Sequence, residues 1–145
     1  MTFLKTLSVL ILVALSATLA SCSNDDDKNN EPVIVGTWEM VKHEYNTYSN
    51  GISKDVVENG DGAITFNSDG TGTSIHASED GTNINEPFTW KQDGTKITVT
   101  SKDEEGKEYT DTGEIQKLTD SELVIYSTYK DGDDNFYDRM TYRRI

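Results

Sequence analysis

Three observations predict an all-β chain that closes as an eight-stranded up-and-down antiparallel β-barrel. From Ile34 onward the apolar residues recur with period two rather than 3.6, the signature of strands. Glycine-bearing turns separate the runs. Long and short connections then alternate along the whole chain. In an up-and-down sheet successive connections lie at opposite ends, so this alternation gathers the long loops at one end and the tight turns at the other. Closing the sheet removes its edges and leaves an interior for side chains or one small ligand.

The strands follow in order. Ile34, Gly36, Trp38 and Met40 share one face of the first. Ile64 and Phe66 repeat the alternation, as do Thr73, Ile75 and Ala77, then Phe88 with Trp90 and Ile97 with Val99. Leu123 with Ile125, and Met140 with Tyr142, complete it. Thr, Tyr, Val and Ile dominate these runs, as side chains suited to a pleated surface should. The two prolines, Pro32 and Pro87, fall outside the runs or at a strand start. Eight strands are expected, at about 34–45, 63–67, 72–77, 87–91, 96–101, 109–118, 122–129 and 136–143. Residues 46–62, 78–86, 102–108 and 130–135 are the long connections. Residues 67–70 and 92–95 carry hairpin-turn sequences with glycine placed for positive φ.

The N-terminus has a different character. Lys5 precedes an apolar stretch over residues 7–15, too short for a membrane span of ~20 residues. Leu19-Ala20-Ser21-Cys22 then matches the lipobox, a small-residue cleavage site ending in cysteine. Residues 1–21 are therefore expected to be a lipoprotein signal peptide, removed before folding. Cys22, the one cysteine, becomes the lipidated N-terminus and the attachment to the membrane. Residues 22–33 comprise the lipidated cysteine and a flexible acidic tether, without apolar content over 23–32, and residues 34–145 form one domain. The acidic stretch after Cys22 resembles the export signal of Bacteroidota surface lipoproteins. That resemblance implies an outer-membrane protein facing outward; a periplasm-facing protein is the alternative.

Cleavage removes Lys5 and no acid, which leaves 12 basic against 26 acidic residues, net −14. Such a surface repels nucleic acid. No Ser-centred elbow, His-Glu-x-x-His zinc motif or phosphate-binding loop occurs, so no catalytic residue, cofactor or metal is assigned. His43 and His76 are each read as facing outward, opposite their strand's apolar stripe. The acidic stretches around Asp103 and Asp131 are read as solvated loops. The residues around Asp131 depart from a calcium loop, with Phe136 and Tyr142 where glycine and glutamate are needed.

Gly36-Thr37-Trp38 opens the first strand as the Gly-x-Trp motif opens that of lipocalins, and the longest connection follows it. With the lipobox, the tether and the hairpin Phe66-Asn67-Ser68-Asp69-Gly70-Thr71, the chain from about residue 33 resembles the small lipocalin-like lipoproteins of Bacteroidota. The last strand must return beside the first, which brings Arg143 and Arg144 next to Trp38. In lipocalins an arginine covers this tryptophan, so the resemblance implies a structural base of Gly36, Trp38 and Arg143 or Arg144.

The four long connections carry 13 acids against Lys54, Lys102, Lys107 and Lys130. A mouth of this sign draws cations and repels phosphorylated or carboxylated ligands. Inward positions are Ile34, Trp38, Met40, Ile64, Phe66, Ile75, Phe88, Trp90, Ile97, Val99, Ile115, Leu123, Ile125, Met140 and Tyr142. Side chains of this bulk can fill an eight-stranded interior almost completely. A cavity, if left, is expected at the mouth, lined by Tyr45, Tyr48, Phe88, Tyr129 and Phe136. Two functions follow. One is a lipid-anchored barrel that binds a small apolar or neutral ligand at its long-loop end. The other is a filled barrel acting as an interaction module for an envelope protein or glycan.

Overall fold

The computed structural model describes residues 33–78 and 81–145. The expectations for residues 1–32, including the signal peptide and Cys22, lie outside the described residues. Nine strands occur: β1 (Gly36–Ser49), β2 (Ile52–Asn59), β3 (Ala63–Phe66), β4 (Thr71–Ala77), β5 (Asn83–Asp93), β6 (Lys96–Lys102), β7 (Glu108–Leu118), β8 (Glu122–Asp131) and β9 (Asp134–Arg144). Neighbours pair antiparallel from β3 through β9, and β9 returns to pair with β1. The result is an eight-stranded closed barrel with one extra strand.

That extra strand corrects the expectation of a long first loop. Residues 46–62 are mostly a hairpin: β1 runs on to Ser49, turns at Asn50-Gly51 with both residues at positive φ, and returns as β2. Apart from half-buried Val56, β2 is exposed, so it carries no apolar alternation to reveal it. β2 and β3 both pair with the same edge of β1, β2 with its second half and β3 with its first. They follow one another along that edge, joined by a bend. The bend passes Gly62, whose φ is +94° and whose added Cβ would lie 2.1 Å from the Ile75 carbonyl oxygen. The Gly62 carbonyl accepts the Met40 N–H at 3.0 Å, which pins the bend to β1.

The other long connections are also shorter than expected, at residues 78–82 and 132–133, because their strands extend. The two-ended arrangement follows from the antiparallel order, not from loop length.

Trp38, Phe66, Ile97 and Leu123 are fully enclosed, and Ile34, Phe88, Ile115, Ile125 and Tyr142 complete the buried core. Met40, Ile64, Trp90, Val99, Leu118 and Met140 pack against it. Ile75 departs from the expected inward set and is 37% exposed. Gly72 and Ser74 lie opposite core residues Phe66 and Ile64, so β4 turns Gly72, Ser74 and His76 inward and Ile75 out. The outward reading of His76 is corrected with it. A β-bulge between Met40 and Lys42 likewise inverts the parity of β1. His43 consequently sits opposite Met140, on the interior face, where an outward position was expected. A second irregularity between Ile115 and Lys117 brings Leu118 to the core.

At the closed end Arg144 covers Trp38. Its guanidinium carbon lies 4.1 Å from the indole centroid. It donates to the carbonyls of Val33, Val35 and Asp120. Gly36 has φ +138°, and an added Cβ would lie 2.4 Å from Arg144 Nη1, so only glycine fits beneath the guanidinium. Trp38 Nε1 donates to the Ile34 carbonyl at 2.7 Å, which satisfies the buried indole. Arg143 points outward and pairs with Glu39.

The hairpin at residues 66–71 is held by Asp69. Its Oδ1 accepts the Thr71 hydroxyl at 2.6 Å and the Thr71 N–H at 2.9 Å. These bonds, the hydroxyl first, hold its carboxyl below the usual carboxylate range. Trp90 Nε1 donates to the Asn67 and Thr71 carbonyls, so the same turn anchors β5.

Candidate functional site

The interior is not completely filled. A cavity of about 190 Å³ remains above the core. Its apolar walls include Ile64, Val99, Ile125, Met140 and Tyr142, inward positions of β3, β6, β8 and β9. Asp111, Thr112, Gly113 and Ser127 line the side toward β7 and β8. The space follows from small residues at inward positions, Gly113 on β7 and Ser127 on β8. Burial pushes the Tyr142 phenol up from its ordinary range, and its hydroxyl turns to Met140 Sδ at 3.3 Å. The apolar walls and the neutral Tyr142 phenol thus face one charged group, Asp111.

The five aromatic residues expected at the mouth separate in the structure. Tyr129 and Phe136 stack with centroids 5.0 Å apart, and Tyr48 meets Phe136 edge-on at 5.0 Å. These three form one cluster at the long-loop end. Tyr45 is turned away, stacked at 4.7 Å on His43 and reaching Glu58 through its hydroxyl. Phe88 belongs to the core instead. It packs against Phe66 at 5.6 Å and folds over Gly72, where an added Cβ would meet its ring at 2.2 Å. The missing side chain at Gly72 draws the ring down from the rim.

Two polar nodes brace this end, and neither was foreseen. Asn46 is buried with each polar atom bonded: Nδ2 donates to Ser53 Oγ and the Asn135 carbonyl, and Oδ1 accepts the Tyr137 N–H at 2.8 Å. It ties β1, β2 and β9 together where the β1–β9 ladder stops at Tyr45–Asp138. His43 bonds Asp138 Oδ1 through Nε2 at 2.8 Å, with Glu58 3.5 Å from Nδ1. At the next turn, Asp103 accepts the N–H groups of Glu105 and Lys107 and the Tyr109 hydroxyl. The Lys107 amide leads in holding its carboxyl below the ordinary range. This carboxylate serves the turn.

A family model described as a lipocalin-like domain matches residues 34–125. The chain belongs to the lipocalin-like family. Barrels of this family commonly bind small hydrophobic ligands, and its members are generally binding proteins rather than enzymes. The chain is also similar to solved structures. A lipocalin-like protein from Bacteroides uniformis is 18% identical with a TM-score of 0.50, over 77% of this chain and 97% of its own. An uncharacterised protein from Bacteroides eggerthii is 15% identical with a TM-score of 0.46, over 77% of this chain and 98% of its own. A siderocalin, described as functioning through dual ligand specificities, is 20% identical with a TM-score of 0.42, over 77% of this chain and 73% of its own. Among curated proteins none matches significantly. In this lipocalin-like barrel, the interior cavity and the aromatic rim above it are the candidate site.

Proposed function

We propose that this protein is a lipid-anchored envelope lipoprotein whose barrel takes up a small apolar or neutral ligand from its long-loop end. The observation that carries the reading is the cavity of about 190 Å³ with aliphatic, thioether and aromatic walls. An apolar cavity of about 150 Å³ holds benzene, whereas drug-sized ligands need about 300 Å³ or more. The ligand is therefore the size of one ring with a short substituent. Tyr48, Tyr129 and Phe136 stand over the entrance at the long-loop end. The test is thermal unfolding of the full chain with indole as a neutral probe. Indole at a hundred times its dissociation constant should stabilise the wild type by about 2.7 kcal/mol. Val99→Phe, which fills the cavity, should abolish that shift; an equal shift in the variant would remove the interior from consideration.

The lipobox ending at Cys22 and the acidic residues behind it support attachment to the outer membrane, facing outward. Labelled fatty acid should be incorporated into the wild type and not into Cys22→Ser. A second reading, an interaction module for an envelope protein or glycan, draws on β2, whose Ile52 and Val57 are the most exposed large apolar residues in the strands.

A further inference from the structure

The wall of the barrel is not continuous. β7 and β8 pair from Leu118–Leu123 up to Glu114–Tyr126, and there the ladder stops. Above that point β7 continues to pair with β6 as far as Lys102–Glu108, and β8 with β9 as far as Asp131–Asp134. The two hairpins diverge and leave a seam between them. On its outer side lies a groove of about 340 Å³. On its inner side lies the cavity of about 190 Å³. Thr112, Gly113 and Ser127 line both, so one short stretch of wall separates groove from cavity.

The chemistry of the seam is asymmetric. Asp111 is the one charged residue among those lining the cavity. It lies opposite Val99, on the face that looks into the barrel. Among the described residues its carboxylate makes no hydrogen bond or ion pair. An ionised carboxylate only accepts hydrogen bonds, so its complement is a donor, and a charged donor binds it most strongly. In the groove, Lys96 is offset by Glu114 directly across the β6–β7 pair.

We propose that the barrel is loaded through the β7–β8 seam by a small molecule with an apolar body and a primary ammonium head, the body entering the cavity and the head held by Asp111. This rests on the reading above that the barrel binds a small ligand, and it changes the head group and the route of entry. The apolar body stays, the neutral head becomes cationic, and the route runs through the wall instead of past Tyr48, Tyr129 and Phe136.

The experiment titrates the full chain with three matched probes: 2-phenylethylamine, 2-phenylethanol and phenylacetate. The amine should bind most tightly, ahead of the alcohol by about tenfold, the scale of a hydrogen bond to a charged group. Phenylacetate should not bind. Asp111→Asn should erase the advantage of the amine and leave the alcohol unchanged. Ser127→Phe, which plugs the seam, should abolish binding of both, while Lys91→Ala, exposed on β5 away from the seam, should leave both intact. Gly113→Ala is the second seam variant: its added carbon meets Ile125 Cγ2 at 2.7 Å, so the Ile125 side chain must shift to admit it. Equal binding of amine and alcohol, unaltered in Asp111→Asn, would overturn the ammonium assignment and leave the cavity reading standing. Normal binding in both seam variants would overturn the route. If none of the three probes binds the wild type, the ligand-binding reading itself fails, and this proposal with it.

Discussion

Arg144, Asn46 and Asp69 show how single side chains hold this barrel. Arg144 serves three carbonyls and one indole face at the point where the first and last strands meet. The position was legible because antiparallel geometry alone returns the last strand to the first. The choice between Arg143 and Arg144 was not, since it depends on which face each residue takes. Asn46 was invisible for a related reason: a polar residue within a strand reads as solvent-facing until the neighbouring ladder is known to end beside it. Asn46→Ala leaves the Tyr137 N–H without its acceptor in a buried place. It should cost about 1–3 kcal/mol, the penalty for an unsatisfied buried donor, read from urea unfolding. Asp69 makes the stability depend on pH. Its folded carboxyl titrates below the ordinary value, so the unfolded chain binds the proton more readily. Its contribution is present above the unfolded value of about 3.9 and is lost as the pH falls through the lower folded value. Asp69→Asn should therefore weaken the decline in urea midpoint on acidification, without itself titrating. An identical decline in both proteins would show that the hairpin carboxylate does not take part.

At the scale of elements, period-two patterning identified most strands of the closed barrel, because most of them bury one face. It failed where that condition fails. β2 lies outside the closed ring with both faces largely wet, and only its Asn50-Gly51 turn announces it. Parity failed at bulges. The irregularity after Met40 turned His43 inward, and the one after Ile115 brought in Leu118. Ile75 shows the converse, an apolar residue on the wet face of β4 because Gly72 and Ser74 face the core. Seams are equally hidden in a one-dimensional pattern, since strands that part company keep their own alternation. They have a dynamic consequence. Amides protected only by local ladders open at lower free energy than those of a closed ring. Hydrogen exchange should therefore be faster along β2 and along the β8 stretch above Tyr126 than in β3 and the lower halves of β7 and β8. Uniform protection over the whole of β8 would mean that the β7–β8 seam is closed in solution.

For the whole molecule, the closed end and the long-loop end divide the work. The closed end concentrates enclosed apolar bulk beneath Arg144. Toward the other end the interior narrows to a small apolar cavity, and above it stand the aromatic cluster and the carboxylates around His43. The fold class could be read from the chain because apolar residues recur with period two along most of the barrel strands; the base residues rested on the resemblance and on the return of the last strand beside the first. The cavity could not, since its volume is what remains after all the inward side chains are packed, and two small residues, Gly113 and Ser127, decide where space is left. Phe88 illustrates the same difficulty: its descent onto Gly72 depends on a cross-strand partner sixteen residues earlier in the chain. A surface this acidic and a cavity this small together favour a compact ligand without negative charge.

The most direct test of ligand binding is native mass spectrometry of the full chain purified gently from its own source, wild type beside Val99→Phe. Wild type should carry one small bound mass that survives desalting and disappears on denaturation, and the cavity-filled variant should carry none. A bare wild type that also remains bare after incubation with indole and 2-phenylethylamine, or a bound mass retained in full by Val99→Phe, would contradict a ligand held inside the barrel.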